Sequence, residues 1–194
     1  MTQSIQVFGQ FQAELTLPDQ FKLIASDSRT RNHETVTVER YQMTEPVVMN
    51  GPHVTVVYGD DGRLISYNNF AERSTTEMPS KREAVAIAKR LFQKLDPQYA
   101  RDLSYMRVDQ LSRSFVDDAN RQVAIPIMWV KFAHANGSYN WVSVGAGGQV
   151  IEMERESEWD YWQSRRATEE WNYDDWVLAR MGLAPQPAAP EALA

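Results

Sequence analysis

The sequence predicts an α+β fold: an antiparallel β-sheet of hairpins packed on one main helix at 80–95, with a second helix near the C-terminus. Three observations carry this expectation. Ser80 and Glu83 form a capping box ahead of an apolar stripe with helical period. Elsewhere apolar residues alternate with polar ones, and Gly-, Asp- and Asn-containing turns break the alternation. With 43% apolar content, 194 residues can bury a core without disulfides, and the chain has no cysteine to make them.

The elements follow in order. Met1 to Phe11 has no Lys or Arg and no continuous apolar stretch, so it does not read as a secretory signal. The chain therefore reads as cytoplasmic, or extracytoplasmic if a leader was removed. Residues 21–25 and 34–43 are strands of less regular pattern. Val54, Val56 and Tyr58 alternate up to Gly59-Asp60-Asp61-Gly62, and Leu64 or Ile65 through Tyr67 runs back, a hairpin with Gly62 at positive φ. In the helix, Val85, Ala88, Leu91, Phe92 and Leu95 share a stripe, and Pro97 limits its extension.

A second hairpin joins 103–116 to 123–135 across Asp117-Asp118-Ala119-Asn120. Strand 123–135 is apolar on both faces, with Ile125, Ile127 and Trp129 opposite Met128, Val130 and Phe132, as suits a central strand; Pro126 asks for a bulge or a local edge. Asn136-Gly137 reverses the chain, and a third hairpin joins 139–144 to 149–154 through Gly145-Ala146-Gly147-Gly148. Thr168 is the expected cap of the last helix, with Glu169 and Glu170 in its first turn and Arg180 and Gly182 at its end. Leu183 to Ala194, with three prolines and no periodicity, reads as a flexible tail after a single domain spanning 1–182.

Two stretches are alike. VTVVYGDDGRLISY (54–67) and NWVSVGAGGQVIEM (140–153) align with Gly62 on Gly148, Val56 on Val142, Tyr58 on Val144, Leu64 on Val150 and Ile65 on Ile151. The chain then divides into two candidate hairpin–helix units, 21–95 and 107–181.

The run Ser80 to Ala88 (SKREAVAIA) resembles the helix opening of the PepSY and PepSY-like domains of bacterial proteins. Gly62 to Tyr67 is similar to the strand that leads into that helix, and Tyr139 to Ile151 to the strand–turn–strand that closes it. The resemblance covers about residues 54–155. It implies an antiparallel sheet wrapped around a helix and a role in binding or in inhibiting a peptidase, and it supplies no catalytic residues. In the final turn, where that family carries an acidic residue, this chain has Gly145-Ala146-Gly147.

Composition narrows function mainly by exclusion. With 26 acidic and 20 basic residues the net charge is −6, so the broad basic field of a nucleic-acid binder is missing. The longest apolar run, Val123 to Val130, is too short for a membrane-spanning helix. The three histidines show no metal-ligand spacing, and Ser143 lies in Val-Ser-Val-Gly rather than a nucleophile elbow. Asp117-Asp118 and Asp174-Asp175 are neighbours that point apart, as a turn and a helix start explain. The glycines at 145, 147 and 148 lead into a strand, unlike a phosphate loop. No cofactor or metal is called for, and a small hydrolase is disfavoured.

Two features remain. Glu152, Glu154, Glu156, Glu158 and Asp160 alternate, which on a strand puts them on one face; with Arg155 alongside, a solvated face is expected rather than a cation site. Trp159, Tyr161, Trp162, Trp171, Tyr173 and Trp176 fall within 18 residues. They either seal the core over the open sheet face, the preferred reading, or form a rim that stacks sugars or grips a peptide. Trp159, Tyr161, Trp162, Trp171 and Trp176 are accordingly the candidate binding residues. The leading expectation is a non-enzymatic binding or inhibitory module for an unknown protein or peptide. The second is a structural protein whose aromatic segment forms a homo-oligomer interface.

Overall fold

Two short strands precede every element expected from sequence. β1 (Gln3–Val7) and β2 (Gln10–Leu17) pair across Phe8-Gly9. Both turn residues have positive φ, 51° and 74°, as a two-residue primed turn requires. Phe stands where Asn or Asp would advertise such a turn. The computed structural model describes residues 3–71 and 75–194; Met1 and Thr2 of the N-terminal segment, and 72–74 within the first candidate repeat unit, lie outside them.

The main sheet is antiparallel and eight-stranded. Its spatial order is β3 (Lys22–Arg31), β4 (Glu34–Gln42), β5 (His53–Tyr58), β6 (Leu64–Phe70), β10 (Val150–Ser157), β9 (Tyr139–Val144), β8 (Gln122–His134) and β7 (Leu103–Val116). Two four-stranded meanders thus meet where β6 pairs with β10, Tyr67 opposite Met153. The two similar hairpins lie side by side, and their aligned residues share faces. Val56, Val142, Tyr58, Val144, Leu64 and Val150 join the helix-side core, while Ile65 and Ile151 turn to the other face.

α1 (Lys81–Leu95) starts at the expected capping box: the Ser80 N–H donates to the Glu83 carboxylate at 2.8 Å, and the Glu83 N–H to Ser80 Oγ at 3.3 Å. It buries Ala84, Ala88, Leu91 and Phe92 against β8 and β9, with Phe92 edge-on to Phe132 at 5.6 Å. Full burial of a side chain such as Leu91 contributes about 1.5–3 kcal/mol. Pro97 opens a second helix, α2 (Pro97–Arg101), whose first turn is capped by Asp96 accepting the Tyr99 N–H.

β8 is next to the edge strand rather than central, yet Ile125 and Ile127 do face away from Met128, Val130 and Phe132. β9 pairs with β8 only from Met128 onward, so Pro126 sits on a locally one-sided stretch opposite Ser112. The glycine turn after β9 is a short 3₁₀ turn, Ala146–Gly148, with Gly147 at φ 66° and its N–H on the Glu77 carbonyl. It runs into β10 as a hairpin connection.

The last helix is shorter than the spacing predicts. α3 spans Asp174–Arg180, and Thr168, Glu169 and Glu170 precede it in non-helical chain. Their polar groups bond to distant residues. Thr168 Oγ1 accepts the Glu158 N–H and donates to Asn32, and Glu169 accepts the Asn32 N–H. Tertiary hydrogen bonds have outcompeted the local cap.

The proline-rich end, expected as a free tail, makes specific contacts. The Arg166 N–H donates to the Pro190 carbonyl, the Ala192 N–H to the buried Glu170 carboxylate, and Ala192 is 2% exposed.

Candidate binding cleft on the charged face of the sheet

Of the five alternating acids only Glu152 and Glu154 share a face of β10, and that face is not solvated; a register shift after Glu154 breaks the alternation, and Glu158, beyond the strand, is exposed. Glu152 and Glu154 are 0% exposed, covered by the chain that follows β10. Glu154 accepts from Arg31 Nη2 at 3.1 Å and from Arg166 on one oxygen, and from Asn172 Nδ2 at 2.8 Å on the other. Glu152 accepts from Arg113 Nε at 2.7 Å and from the Tyr173 hydroxyl at 2.9 Å on one oxygen, and from Ser143 on the other. Arg166 also reaches Glu170, at 3.2 Å. Arg31, Arg113 and Arg166 therefore each face a carboxyl group of Glu152, Glu154 or Glu170, so no buried guanidinium of this set lacks a partner.

The chain leaves β10 at Glu156, whose φ of 60° is unusual for a residue with a Cβ. Hydrogen bonds hold it there: its N–H donates to Asn140 Oδ1, its carbonyl accepts from Arg31 and Asn32, and its carboxylate binds Arg63. This turn sends residues 158–194 back across the sheet.

Burial sets the protonation of the groups beneath that cover. Burial, then the nearby Arg166 charge, pushes Arg31 down to about 9, still a cation at neutrality. Burial raises the Tyr173 hydroxyl, with the Glu152 charge adding to it. Burial also raises Glu170 to about 7 against the pull of Arg166, and Glu191 beside it raises it further. At the far end of the same face, Arg40 grips Asp174 with bonds of 2.6 and 2.7 Å. Burial opposes ionisation of Asp174, yet His53, Arg40 and the Asn50 N–H hold its carboxyl below the usual range. Burial drives His53 down to about 4, so its imidazole is neutral at pH 7.

One part of this face is open. A small hairpin, β11 (Trp159–Asp160) with β12 (Arg165–Arg166), stands against β7, β8 and β9, and between them lies a cleft of about 320 Å³. Its aromatic walls are Trp129, Tyr139, Trp141, Trp159 and Tyr173. Cations lie against these rings: Lys131 Nζ is 3.8 Å from the Tyr139 centroid and 5.6 Å from that of Trp129, and Arg166 is 5.0 Å from Trp141. The sheet register builds this surface. Arg107 faces Lys131 across β7–β8, and Lys131 faces Trp141 across β8–β9. Pro190 and Glu191 of the C-terminal segment close one side. A larger hollow, about 510 Å³ near Pro18–Phe21, holds one ionisable lining residue, Asp19, and no comparable set of donors.

The five candidate binding residues do not form one rim. Trp159 lines the cleft, and Tyr161 bonds to Tyr139 by its hydroxyl at 2.9 Å. Trp162, at the tip of the small hairpin, is 99% exposed. Trp171 and Trp176 lie elsewhere, edge to face at 4.9 Å against the β3–β5 side, with the Trp171 indole donating to the Thr30 carbonyl. Trp176 is 1% exposed and serves the core. Sequence reasoning missed Trp129, Lys131, Tyr139 and Trp141. Their period-two spacing was visible, with 129 and 131 on one strand and 139 and 141 on the next, but the pairing that brings them together was not.

Other groups weighed from sequence have local structural partners. Asp117 accepts the Ala119 and Arg121 N–H groups in its turn, and His134 stacks on Tyr99 at 4.0 Å. Among the described residues no cluster of His, Asp or Glu is placed to hold a metal ion, and no helix is long and apolar enough to cross a membrane. Comparison with protein-family models, with curated proteins and with solved structures gave no match to this chain.

Proposed function

We propose that this protein is a non-enzymatic binding module that seats a peptide segment of a partner in the cleft between β7–β9 and the Trp159 hairpin. The observation that carries the reading is the aromatic cleft itself: five rings interleaved with cations, three of them (Trp129, Tyr139 and Trp141) on strands whose opposite face packs against α1. Rings fixed in this way bury large area at small conformational cost, the property that concentrates binding energy at interfaces. The fully exposed Trp162 beside it extends the apolar surface available to a partner. A binding or inhibitory role is also what the PepSY-like resemblance implies.

The test is retention of a capped random hexapeptide library on the immobilised protein, compared with a Trp159→Ala variant of unchanged melting temperature. Peptides held by the wild type and released by the variant support the reading. Equal retention by both contradicts it.

The exposure of Tyr161 and Trp162, 71% and 99%, favours a second reading, in which this tip is an interface between copies of the chain. A sedimentation coefficient that rises with concentration, and ceases to do so in Trp162→Ala, would support it.

A further inference from the structure

The cleft has unmatched hydrogen-bonding groups of one kind. Lys131 is half-buried and makes no ion pair or hydrogen bond among the described residues; its ammonium rests on Tyr139 and Trp129. The indole N–H groups of Trp129 and Trp141 and the Nε of Arg166 are buried without an acceptor. All four are donors. The acceptors nearby are already engaged: Asp109 by Arg107 at 2.7 Å, and Glu152 and Glu154 by the bonds described above. Buried donors without acceptors are costly; the two indoles and the Arg166 Nε are enclosed, and Lys131, half-buried on the wall of the open cleft, is the donor an occupant can reach.

We infer that the peptide segment bound in this cleft carries a carboxylate side chain, which pairs with Lys131 between the Tyr139 and Trp129 rings. The inference rests on the binding reading above and names its ligand class. Burial of Lys131, together with the Arg107 charge, disfavours its ammonium form more than Asp109 favours it, and an incoming carboxylate offsets the difference. The molecule supplies two carboxylates of its own on this side: Asp109, already paired with Arg107, and Glu191, on the wall formed by the C-terminal segment. Elsewhere the net charge of −6 repels an acidic chain, which confines the attraction to the cleft.

The occupant is a peptide rather than a free acid because of what adjoins the cleft. β7 is an edge strand, paired within the sheet with β8 alone, and its residues Arg107, Asp109, Leu111 and Arg113 line the cleft up to that edge. An extended segment can lie along β7 while one of its side chains turns inward. Exposed Trp162 provides further contact that a small acid would leave uncovered.

The experiment is the same library, passed over wild type, Lys131→Gln and Trp159→Ala, with retained sequences read by mass spectrometry. Wild type is expected to enrich Asp- or Glu-containing peptides, and Lys131→Gln to lose that enrichment while keeping its melting temperature. An acetylated Gly-Phe-Glu-Phe-Gly amide should bind wild type about tenfold more tightly than its Gln counterpart, as for a charge-assisted hydrogen bond. Peptides released by Trp159→Ala but without acidic enrichment would overturn the ligand class and leave the binding reading intact. Retention of no peptide by the wild type would overturn both.

Discussion

Arg166 and Glu154 form an ion pair beneath the C-terminal segment, both nearly inaccessible to water, and so tie that segment to the middle of the sheet. Arg31 from the edge strand β3 and Asn172 complete the carboxylate's partners. The pairing explains why Glu152 and Glu154, which alternate as on a solvated strand, are fully covered. It also fixes Arg166 against Trp141 in the cleft.

Neutralising one member leaves uncompensated charge in a dry site. Glu154→Gln is expected to cost about 3–5 kcal/mol, the usual penalty for breaking a buried pair. Glu158→Gln, on an exposed side chain of the same run, should change stability by less than about 0.5 kcal/mol. Urea unfolding of the two variants separates these outcomes.

Two buried groups make stability depend on pH with opposite signs. Glu170, raised to about 7, keeps its proton in the folded state after the unfolded chain has released it near 4.5. Its contribution therefore falls as pH rises from about 4.5 to 7. His53, lowered to about 4, must gain a proton on unfolding below about 6.5, so its contribution is lost as pH falls through that range. Glu170→Gln should steepen the acid-side loss of stability, and His53→Asn should flatten it. Urea midpoints from pH 4.5 to 7.5 read both slopes, and identical slopes in the two variants would contradict the assignment.

Deletion of residues 184–194 removes one partner of the Glu170 carboxylate, the Ala192 N–H, and the Pro190 wall of the cleft. A free tail could be deleted without effect. Here the melting temperature should drop by several degrees, as for the loss of about 1–3 kcal/mol. Calorimetry on the truncated chain tests this.

The two ends of the aromatic segment should respond differently to the same change. Trp176→Ala empties a core site and is expected to destabilise by about 3–5 kcal/mol. Trp162→Ala should leave the thermal transition within about 0.5 kcal/mol of wild type, because the ring contributes no buried area, yet weaken partner binding. Melting curves alongside peptide retention distinguish the two roles.

Local signals in the sequence were read correctly where local physics decides the outcome. The Ser80–Glu83 box, the Gly62 turn, the Asn136-Gly137 reversal and the faces of β8 all depend on neighbours in the chain. What failed was decided at a distance. Thr168 has every property of a helix cap, but its hydroxyl is bound by Glu158 and Asn32, so the helix begins at Asp174. Glu152 and Glu154 were placed on the correct common face and assigned the wrong environment, since their partners Arg113 and Arg31 lie 39 and 123 residues away. The cleft was half legible: Trp159 belonged to a conspicuous cluster, whereas Lys131 and Trp141 meet only through the β8–β9 register.

The most direct test of the cleft is a ¹⁵N–¹H titration of the six tryptophan indole groups with the retained peptides, each resonance assigned by a Trp→Phe variant. The account predicts saturable shifts at Trp129, Trp141 and Trp159, with Trp171 and Trp176 unmoved. Shifts confined to Trp171 and Trp176, or none at saturating peptide, would contradict it.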